Sequence, residues 1–386
     1  MRLISIDYSE FSDTTYRWDA TDFSLIDVNL IVGKNASGKS RLLRLITGLA
    51  RFITGAVDPA NILSGQYKVI FSELHKNARQ FKIIYEISIN DGRILFEKLT
   101  VDGTLKLDRK GGGRGTIFFE KNNTFIDIQV PETKLAVSAR RDTEQHSFFE
   151  YLHDWANSVR SYEFSKIPQD AASIIDKGIK STEIGTPKVQ ENVHLLFKLA
   201  KEKFGTEFIN SIKRDMDRIG YKILEIGLMP IPGNITIVGI PRSPQYLYVI
   251  EADVDKKLPQ TELSSGMFRA LFLLIQIHVI RLSKRRNCII VDDIGEGLDF
   301  DRSSKLISIL VEQAEQGYSQ LIMSTNDRFV MNKVKLDYWC VIERRGGKIE
   351  FFNSRNSPEK FREFEEIGFN NFDFFSRGFY LDSPGK

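Results

Sequence analysis

Cysteine is nearly missing from this chain. Only Cys288 and Cys340 occur among 386 residues, and each sits in an apolar run that reads as a buried strand. Two thiols so placed build no disulfide framework and suit a reducing cytosol. The five histidines have no cysteine near them at ligand spacing, which excludes a zinc site of the Cys/His kind. Charge of one sign is lacking as well, since 54 basic residues against 51 acidic ones leave a formal net charge of +3. That balance does not describe a protein that coats nucleic acid, although it is compatible with a local basic patch.

Long hydrophobic runs are also absent. The longest, Leu271 to Ile280, is interrupted by Gln276 and His278 and amounts to about half a membrane span. The opening stretch carries Asp7 and Glu10 among its apolar residues and does not read as a signal peptide. A soluble, cytoplasmic protein with no membrane partner is therefore expected. No internal repeat, low-complexity tract or coiled-coil heptad is visible. What is present is an ordinary globular composition, 42% hydrophobic and 27% charged, in a chain long enough for one large core with an inserted lobe.

The pattern of apolar residues sets out this organisation. Leu3 to Asp7 and Phe23 to Val32 read as strands, and Leu42, Leu43, Leu45, Ile46 and Leu49 mark one face of a helix. From about Val69 to Val130 short apolar runs alternate with turns. Asn90-Asp91-Gly92 and Asp102-Gly103 are hairpin signals, so this region reads as antiparallel β. Leu135 to Ser138 reads as a further strand, and residues 143 to 218 read as helical with a break at Gly185 to Pro187. Strand-like runs follow at Tyr221 to Leu228, Ile235 to Ile240 and Tyr246 to Ala252. After them helix Ser265 to Ser283 leads to strand Cys288 to Val291, and helix Arg302 to Gln316 leads to strands Gln320 to Met323 and Tyr338 to Ile342. Alternation of helices with purely apolar strands predicts a sheet covered on both faces.

Three motifs carry chemistry. Gly33-Lys34-Asn35-Ala36-Ser37-Gly38-Lys39-Ser40 satisfies the full P-loop pattern, with an apolar strand before it and an amphipathic helix after it. Gly33 and Gly38 let the backbone curl so that amides point at phosphate oxygens, and the helix N-terminus, through Arg41, adds partial positive charge. Lys39 is placed to reach the outer phosphates of ATP, and Ser40 to offer a hydroxyl to Mg²⁺. The run Cys288-Ile289-Ile290-Val291-Asp292-Asp293 delivers two carboxylates to the C-terminal end of a buried strand, where ligands bind in open α/β sheets. Asp292 then serves the metal and Asp293 orients the attacking water. The third motif, Leu263-Ser264-Ser265-Gly266-Met267, precedes a long helix; alone it is also a plain serine N-cap.

In its position between the other two, this third motif resembles the signature of ABC ATPases, with Ser265 for the first glycine and Met267 for the glutamine. Asp292-Asp293-Ile294-Gly295-Glu296-Gly297-Leu298-Asp299 is similar to the D-E-x-E-N-x-L-H stretch of the ABC-like ATPases related to SMC, RecF and the OLD family. The resemblance covers roughly residues 1 to 55 and 245 to 345. It implies an α/β P-loop head of the ABC type with an antiparallel β subdomain and an inserted helical lobe. Residues 1–142 would form the N-terminal half of the core, 143–218 the inserted lobe and 219–386 the C-terminal half. It further implies that Ser264, Ser265 and Gly266 of one subunit cover the γ-phosphate held by another, in a homodimer closed around ATP, with Asp299 as the D-loop residue that communicates across it.

Two departures bear on turnover. Asp293 stands where the family has a catalytic glutamate, one methylene longer. Ser324-Thr325-Asn326-Asp327 puts Asn326 where the family has a switch histidine, and asparagine cannot carry a proton as histidine can. Catalysis would thus rest on Asp293, Lys39 and Asn326, and hydrolysis would be slow. The implied role is an ATP-bound switch controlling a separately encoded effector, a nuclease or toxin, in bacterial anti-phage defence. The alternatives are a RecF-like repair ATPase that clamps DNA, a transporter ATPase subunit, and a nucleotide-binding scaffold without turnover. No nuclease-like acidic cluster stands outside the Asp292 strand.

Four features stay open at the level of sequence. Ser138-Ala139-Arg140-Arg141 lies where the family places a Q-loop or an arginine near the nucleotide, and equally reads as a solvated strand end. Arg109-Lys110-Gly111-Gly112-Gly113-Arg114-Gly115 reads as a mobile hairpin loop, or as a contact for a nucleic-acid backbone. Lys284-Arg285-Arg286 complements a helix dipole. The Phe-rich tail (Phe361, Phe364, Phe369, Phe372, Phe374, Phe375, Phe379) is either packed on the core or a docking surface.

Overall fold

A strand buried at every position needs cover on both faces, and β3 (Val28–Val32), apolar but for Asn29, finds it at the centre of the molecule. The computed structural model describes residues 1–12, 14–74, 80–173, 180–184, 186–231 and 244–381. The chain opens with β1 (Arg2–Glu10), β2 (Trp18–Ser24), β3 and α1 (Lys39–Thr54). An antiparallel run follows, β4 (Ser64–Leu74), β5 (Gln80–Asn90), β6 (Arg93–Val101), β7 (Thr104–Lys110), β8 (Arg114–Phe119) and β9 (Thr124–Gln129). The middle holds α2 (Ala136–Ala139), α3 (Phe148–Ser158), β10 (Val159–Glu163), α4 (Pro187–Gln190) and α5 (Val193–Ile219), the last kinked at Gly205. A small sheet comprises β11 (Ile223–Pro230), β12 (Gln245–Glu251) and β13 (Leu258–Pro259). The chain then returns through α6 (Ser265–Ser283), β14 (Asn287–Asp292), α7 (Phe300–Glu315), β15 (Ser319–Thr325), α8 (Arg328–Lys333), β16 (Trp339–Arg345), β17 (Lys348–Phe352), α9 (Pro358–Ile367) and α10 (Asn371–Ser376).

One large sheet runs in the order β10-β14-β15-β3-β16-β17-β2-β1-β4-β5-β6-β7-β8-β9. Its first five strands are parallel to one another, so both ends of the chain meet at β15, β3 and β16. Buried amides fix this meeting. The Gln320 side chain takes the Leu3 N–H at 3.1 Å and donates to the Leu3 and Ile26 carbonyls, while Asn29 donates to the Leu321 carbonyl at 3.2 Å. Alternate residues of the parallel strands face opposite layers. Leu30, Ile289, Val291, Leu321 and Val341 join α5, α6 and α7 on one side. Ile31, Cys288, Ile290, Ile322 and Cys340 join α1, α3 and the inner face of the antiparallel arm on the other. Burial pushes both cysteine thiols up to about 12, so they remain protonated packing groups.

Several expectations are corrected. The apolar run 23–32 is two strands joined by a short turn that includes the Ile26 and Asn29 side-chain bonds. Leu135 to Ser138 is not a strand: Glu97 accepts the Ala136 and Val137 amides at 2.6 and 3.0 Å and starts the one-turn helix α2. The stretch 143–218 is not all helical, because β10 lies within it and pairs in parallel with β14 at the sheet edge. The strand expected at Ile235 to Ile240 lies outside the described residues, as does Gly185 of the expected break. Arg109 is no part of a mobile loop and cannot reach a nucleic acid. It sits in β7 with no exposure and pairs with Glu97 at 3.2 Å. The Phe-rich tail is packed, not displayed, since Phe361, Phe364 and Phe374 are buried against one another and only Phe369 is substantially open. Helix α6 is long and apolar enough to cross a membrane by composition, but it is a buried core helix here.

Candidate nucleotide site

At the C-terminal ends of β14, β15 and β3 the chain gathers most of its motif residues. β3 ends at Val32 and turns through residues 33–38 into α1. The turn is tight enough to forbid a side chain at Gly33, where a Cβ would lie 2.7 Å from Ser37 Oγ and 2.9 Å from the Ile342 carbonyl. Ala36 and Gly38 take left-handed conformations, with φ of 63° and 106°. The first bond of α1 runs from the Leu42 amide to the Gly38 carbonyl. The amides of Lys39, Ser40 and Arg41 therefore precede the helical ladder and are free to meet an anion. Lys34, Asn35 and Ala36 stand exposed at the crest, and Ser40 is half-buried.

Lys39 is 6% exposed, and its ammonium reaches over the loop. Nζ donates to the carbonyls of Gly33 (2.8 Å) and Lys34 (3.3 Å) and to Asn326 Oδ1 (2.6 Å). Burial holds it below the ordinary lysine value, and the charges of Asp293 and Asp292 oppose that shift. Asp292, at the end of β14, is buried and accepts a hydrogen bond from the Ser324 hydroxyl. Ser324 in turn accepts the Asp293 amide at 3.0 Å, which ties the acid pair to β15. Asp293 adopts φ of 52°. Burial and then the Asp292 charge raise its carboxyl above the ordinary aspartate range; Lys39 opposes, and Glu296 and Glu163 add to the rise.

These residues fit a polyphosphate with a divalent cation. The lysine spends its donors on three neutral oxygens that an anion can replace, and the buried Ser37 hydroxyl has no partner at all. Among the described residues no group of three metal-binding side chains forms a self-sufficient site. A cation here would depend on Ser40, Asp292 and the phosphates themselves.

The structure brings Lys39, Asp292, Asp293 and Asn326 together and leaves four other expected site residues apart. Ser264 caps α6, its hydroxyl accepting the Met267 amide at 3.2 Å. Gly266 abuts the loop after the acid pair, so closely that a Cβ would lie 2.6 Å from the Gly297 carbonyl. Asp299 caps α7 and is occupied by Arg302. No hydrogen bond among the described residues joins Ser264, Ser265, Gly266 or Asp299 to the phosphate loop. The Arg41 side chain turns away from the loop, to Glu10 and over the Trp18 ring at 4.3 Å. Arg140 donates to the Gln129 carbonyl and Arg141 pairs with Glu150, so that stretch holds α3 and β9 in place.

Sequence reasoning missed three contributors. Trp18 packs 3.6 Å from where a Gly38 Cβ would stand, a contact between residues distant in sequence. Ser324 was noted only as part of a run, and its bond to Asp292 needs the register of β14 and β15. Glu163 pairs opposite Asp292 because β10, read as helix, is a strand; Val159 and Tyr162 were the available signal.

Comparison with known proteins agrees with this fold. The family described as "AAA domain, putative AbiEii toxin, Type IV TA system" matches residues 28–332. Among solved structures, an SMC head bound to the C-winged helix domain of ScpA is similar with a TM-score of 0.51 and 13% identity. That likeness covers 93% of this chain and 100% of that one. An Smc head domain with an extended coiled coil, bound to the C-terminal domain of ScpA derived from Pyrococcus furiosus, gives 0.49 and 12%, over 94% and 99% of the two chains. The SMC head domain from Thermotoga maritima gives 0.43 and 14%, over 92% and 99%. At such identities the first likeness speaks for the fold alone. No curated protein matches.

Proposed function

The chain belongs to the AAA-domain family described above and has the fold of an ABC- and SMC-like ATPase head, and from that premise we propose that it binds and slowly hydrolyses Mg²⁺-ATP as a dimerising switch. One observation carries the reading. Lys39 of α1 and Asn326 after β15 are joined at 2.6 Å, beside the Asp292 and Asp293 carboxylates at the end of β14. Three strand ends thus meet at one cation, the arrangement that phosphoryl transfer needs.

In this reading residues 33–41 hold the phosphates through backbone amides and Lys39. Ser40 and Asp292 would hold Mg²⁺, which would supply charge neutralisation to the phosphates. Asp293 accepts the proton of the attacking water; its raised carboxyl suits a base better than an ordinary surface aspartate would. Asn326 donates its amide to a terminal phosphate oxygen once Lys39 releases it.

The signature residues support a second subunit. Ser264 caps its own helix and, like Ser265, is exposed without a hydrogen bond to its own phosphate loop, so the two serines are open to the nucleotide of another copy, with Gly266 packed beneath them against the Gly297 loop. Phe300 and Phe329, 57% and 36% exposed, pack with tilted rings 4.8 Å apart near Asp299 and Asn326. An apolar pair flanking the expected D-loop and sensor suits a face that closes when ATP binds. The family description names a toxin of a Type IV toxin–antitoxin system; our reading adds a separately encoded effector, a nuclease or toxin, and a cytoplasmic role in defence against phage.

Calorimetry with Lys39→Ala tests the assignment. ATP affinity is expected to fall at least a hundredfold without loss of fold, and unchanged binding would show that the nucleotide sits elsewhere.

A further inference from the structure

The opposite end of the parallel strands holds a second opening. A cleft of about 790 Å³ lies where β10 and β14 begin, between the C-terminal ends of α3 and α6. Its size is in the range that receives small-molecule ligands. Four cationic side chains line it, Arg160, Lys203, Arg285 and Arg286, against the single carboxylate of Asp154.

Arg160 is the informative residue. It is 9% exposed, and burial holds its guanidinium below the ordinary arginine value, opposed only by Tyr162 and the exposed Glu191. A buried cation is expected to be paired with a carboxylate. Among the described residues Arg160 has no such partner. One nitrogen donates to the adjoining Val159 carbonyl at 2.6 Å, and Nε has none. Three further buried polar atoms of the same cleft are also without partners: Gln190 Oε1, Trp155 Nε1 and Arg286 Nε. Arg285 is exposed at the rim, and Arg286 alone is neutralised, by Asp27. A buried guanidinium with no carboxylate partner, at a cleft whose exposed Lys203 and Arg285 add to its positive charge, suits an oxyanion.

We propose that this cleft is a second ligand site, taking a phosphate-bearing small molecule between Arg160 and Arg285. It is separate from the Lys39 loop, and the two are linked by covalent strand. β14 runs from Asn287 at the cleft to Asp292 at the acid pair, roughly 16 Å at the usual rise per residue. β10 runs beside it from Arg160, opposite Ile289, to Glu163, opposite Asp292. A ligand that shifts either strand therefore acts on the position of the acid pair, which makes the cleft suited to an effector.

The test uses inorganic pyrophosphate with the full chain carrying Lys39→Ala, so that the phosphate loop contributes little. Calorimetry is expected to show binding with a dissociation constant below about 1 mM, weakened at least tenfold by adding Arg160→Gln. Should Arg160→Gln fail to fold, Arg285→Glu serves instead, since that exposed side chain can be reversed without disturbing the core, and the same tenfold loss is expected. Absence of binding in the Lys39→Ala chain, or affinity unchanged by these cleft substitutions, overturns the proposal.

Discussion

Arg109 in the antiparallel arm and Lys39 at the end of the parallel core are both cations withdrawn from water, yet their surroundings differ in kind. Arg109 is enclosed by a carboxylate and three carbonyls, those of Glu97, Val130, Pro131 and Lys134, at 2.6 to 3.2 Å. Glu97 in turn accepts Tyr85 and the Ala136 and Val137 amides. Burial raises Glu97 above its ordinary value, and these four donors oppose that rise. Lys39 bonds only neutral oxygens, with its carboxylates one step away. A cation enclosed by its own counter-charge is a lock on the fold. A cation resting on exchangeable oxygens is a seat for an incoming anion.

Substitution should separate the two most sharply. Arg109→Met leaves Glu97 buried without its cation, and denaturant unfolding is expected to show a loss of about 3–5 kcal/mol. Lys39→Met is expected to change stability by less than about 1 kcal/mol while ATP binding disappears. Equal destabilisation by both would break the comparison. The double change Glu97→Leu with Arg109→Met sharpens it, because removing both charges should recover part of the loss.

Within the nucleotide edge the neighbouring acids should divide the work. Asp293→Asn is expected to lower turnover by about 10²- to 10⁴-fold while ATP still binds. Asp292→Asn should instead weaken Mg²⁺-dependent binding by about tenfold. Glu296→Gln, on an exposed loop, should hydrolyse normally. If Glu296→Gln is dead and Asp293→Asn is active, the wrong carboxylate has been named.

The pH profile gives a smaller effect with a definite sign. As the proposed base Asp293 would act ionised, and its carboxyl is raised by burial, so activity should be lost as pH falls through a value above the ordinary aspartate pKa of about 3.9. A steady-state profile that stays flat down to that value contradicts its role as base. The smallest effect concerns stability. His194 lies buried between Ser173 and Gln260 with its pKa depressed by burial. The fold thus favours its neutral form, and the resulting stability is present above the unfolded histidine value of about 6.5 and lost as pH falls through it. His194→Gln should narrow the difference in melting temperature between pH 7.5 and pH 5.5 by a few degrees, with little change at pH 7.5. An unchanged difference would place the acid sensitivity elsewhere.

What was legible in the sequence follows the same division. Most of the parallel core was readable because β3, β14, β15 and β16 carry apolar runs and each motif is local: Gly33 to Ser40, Asp292 to Asp293 and Ser264 to Gly266 are continuous runs. The antiparallel run was readable from its hairpin turns at Asp91-Gly92 and Asp102-Gly103, both of which adopt left-handed backbones. The Glu97–Arg109 pair was not, since it joins two strands through a register that no local pattern reveals. β10 was missed because five residues that include Arg160, Ser161 and Glu163 do not look like a sheet edge until β14 lies beside them. The Phe-rich tail left two readings open, and only its three-dimensional packing chose between them.

The central claim is that one copy holds ATP and a second copy completes the site. Multi-angle light scattering of the Asp293→Asn chain with saturating Mg²⁺-ATP tests it most directly. The expected mass is that of two chains with ATP, of one chain without it, and of one chain with ATP when Ser264→Arg is added. A mass that stays at one chain with ATP, or a dimer that ignores both nucleotide and Ser264→Arg, would contradict it.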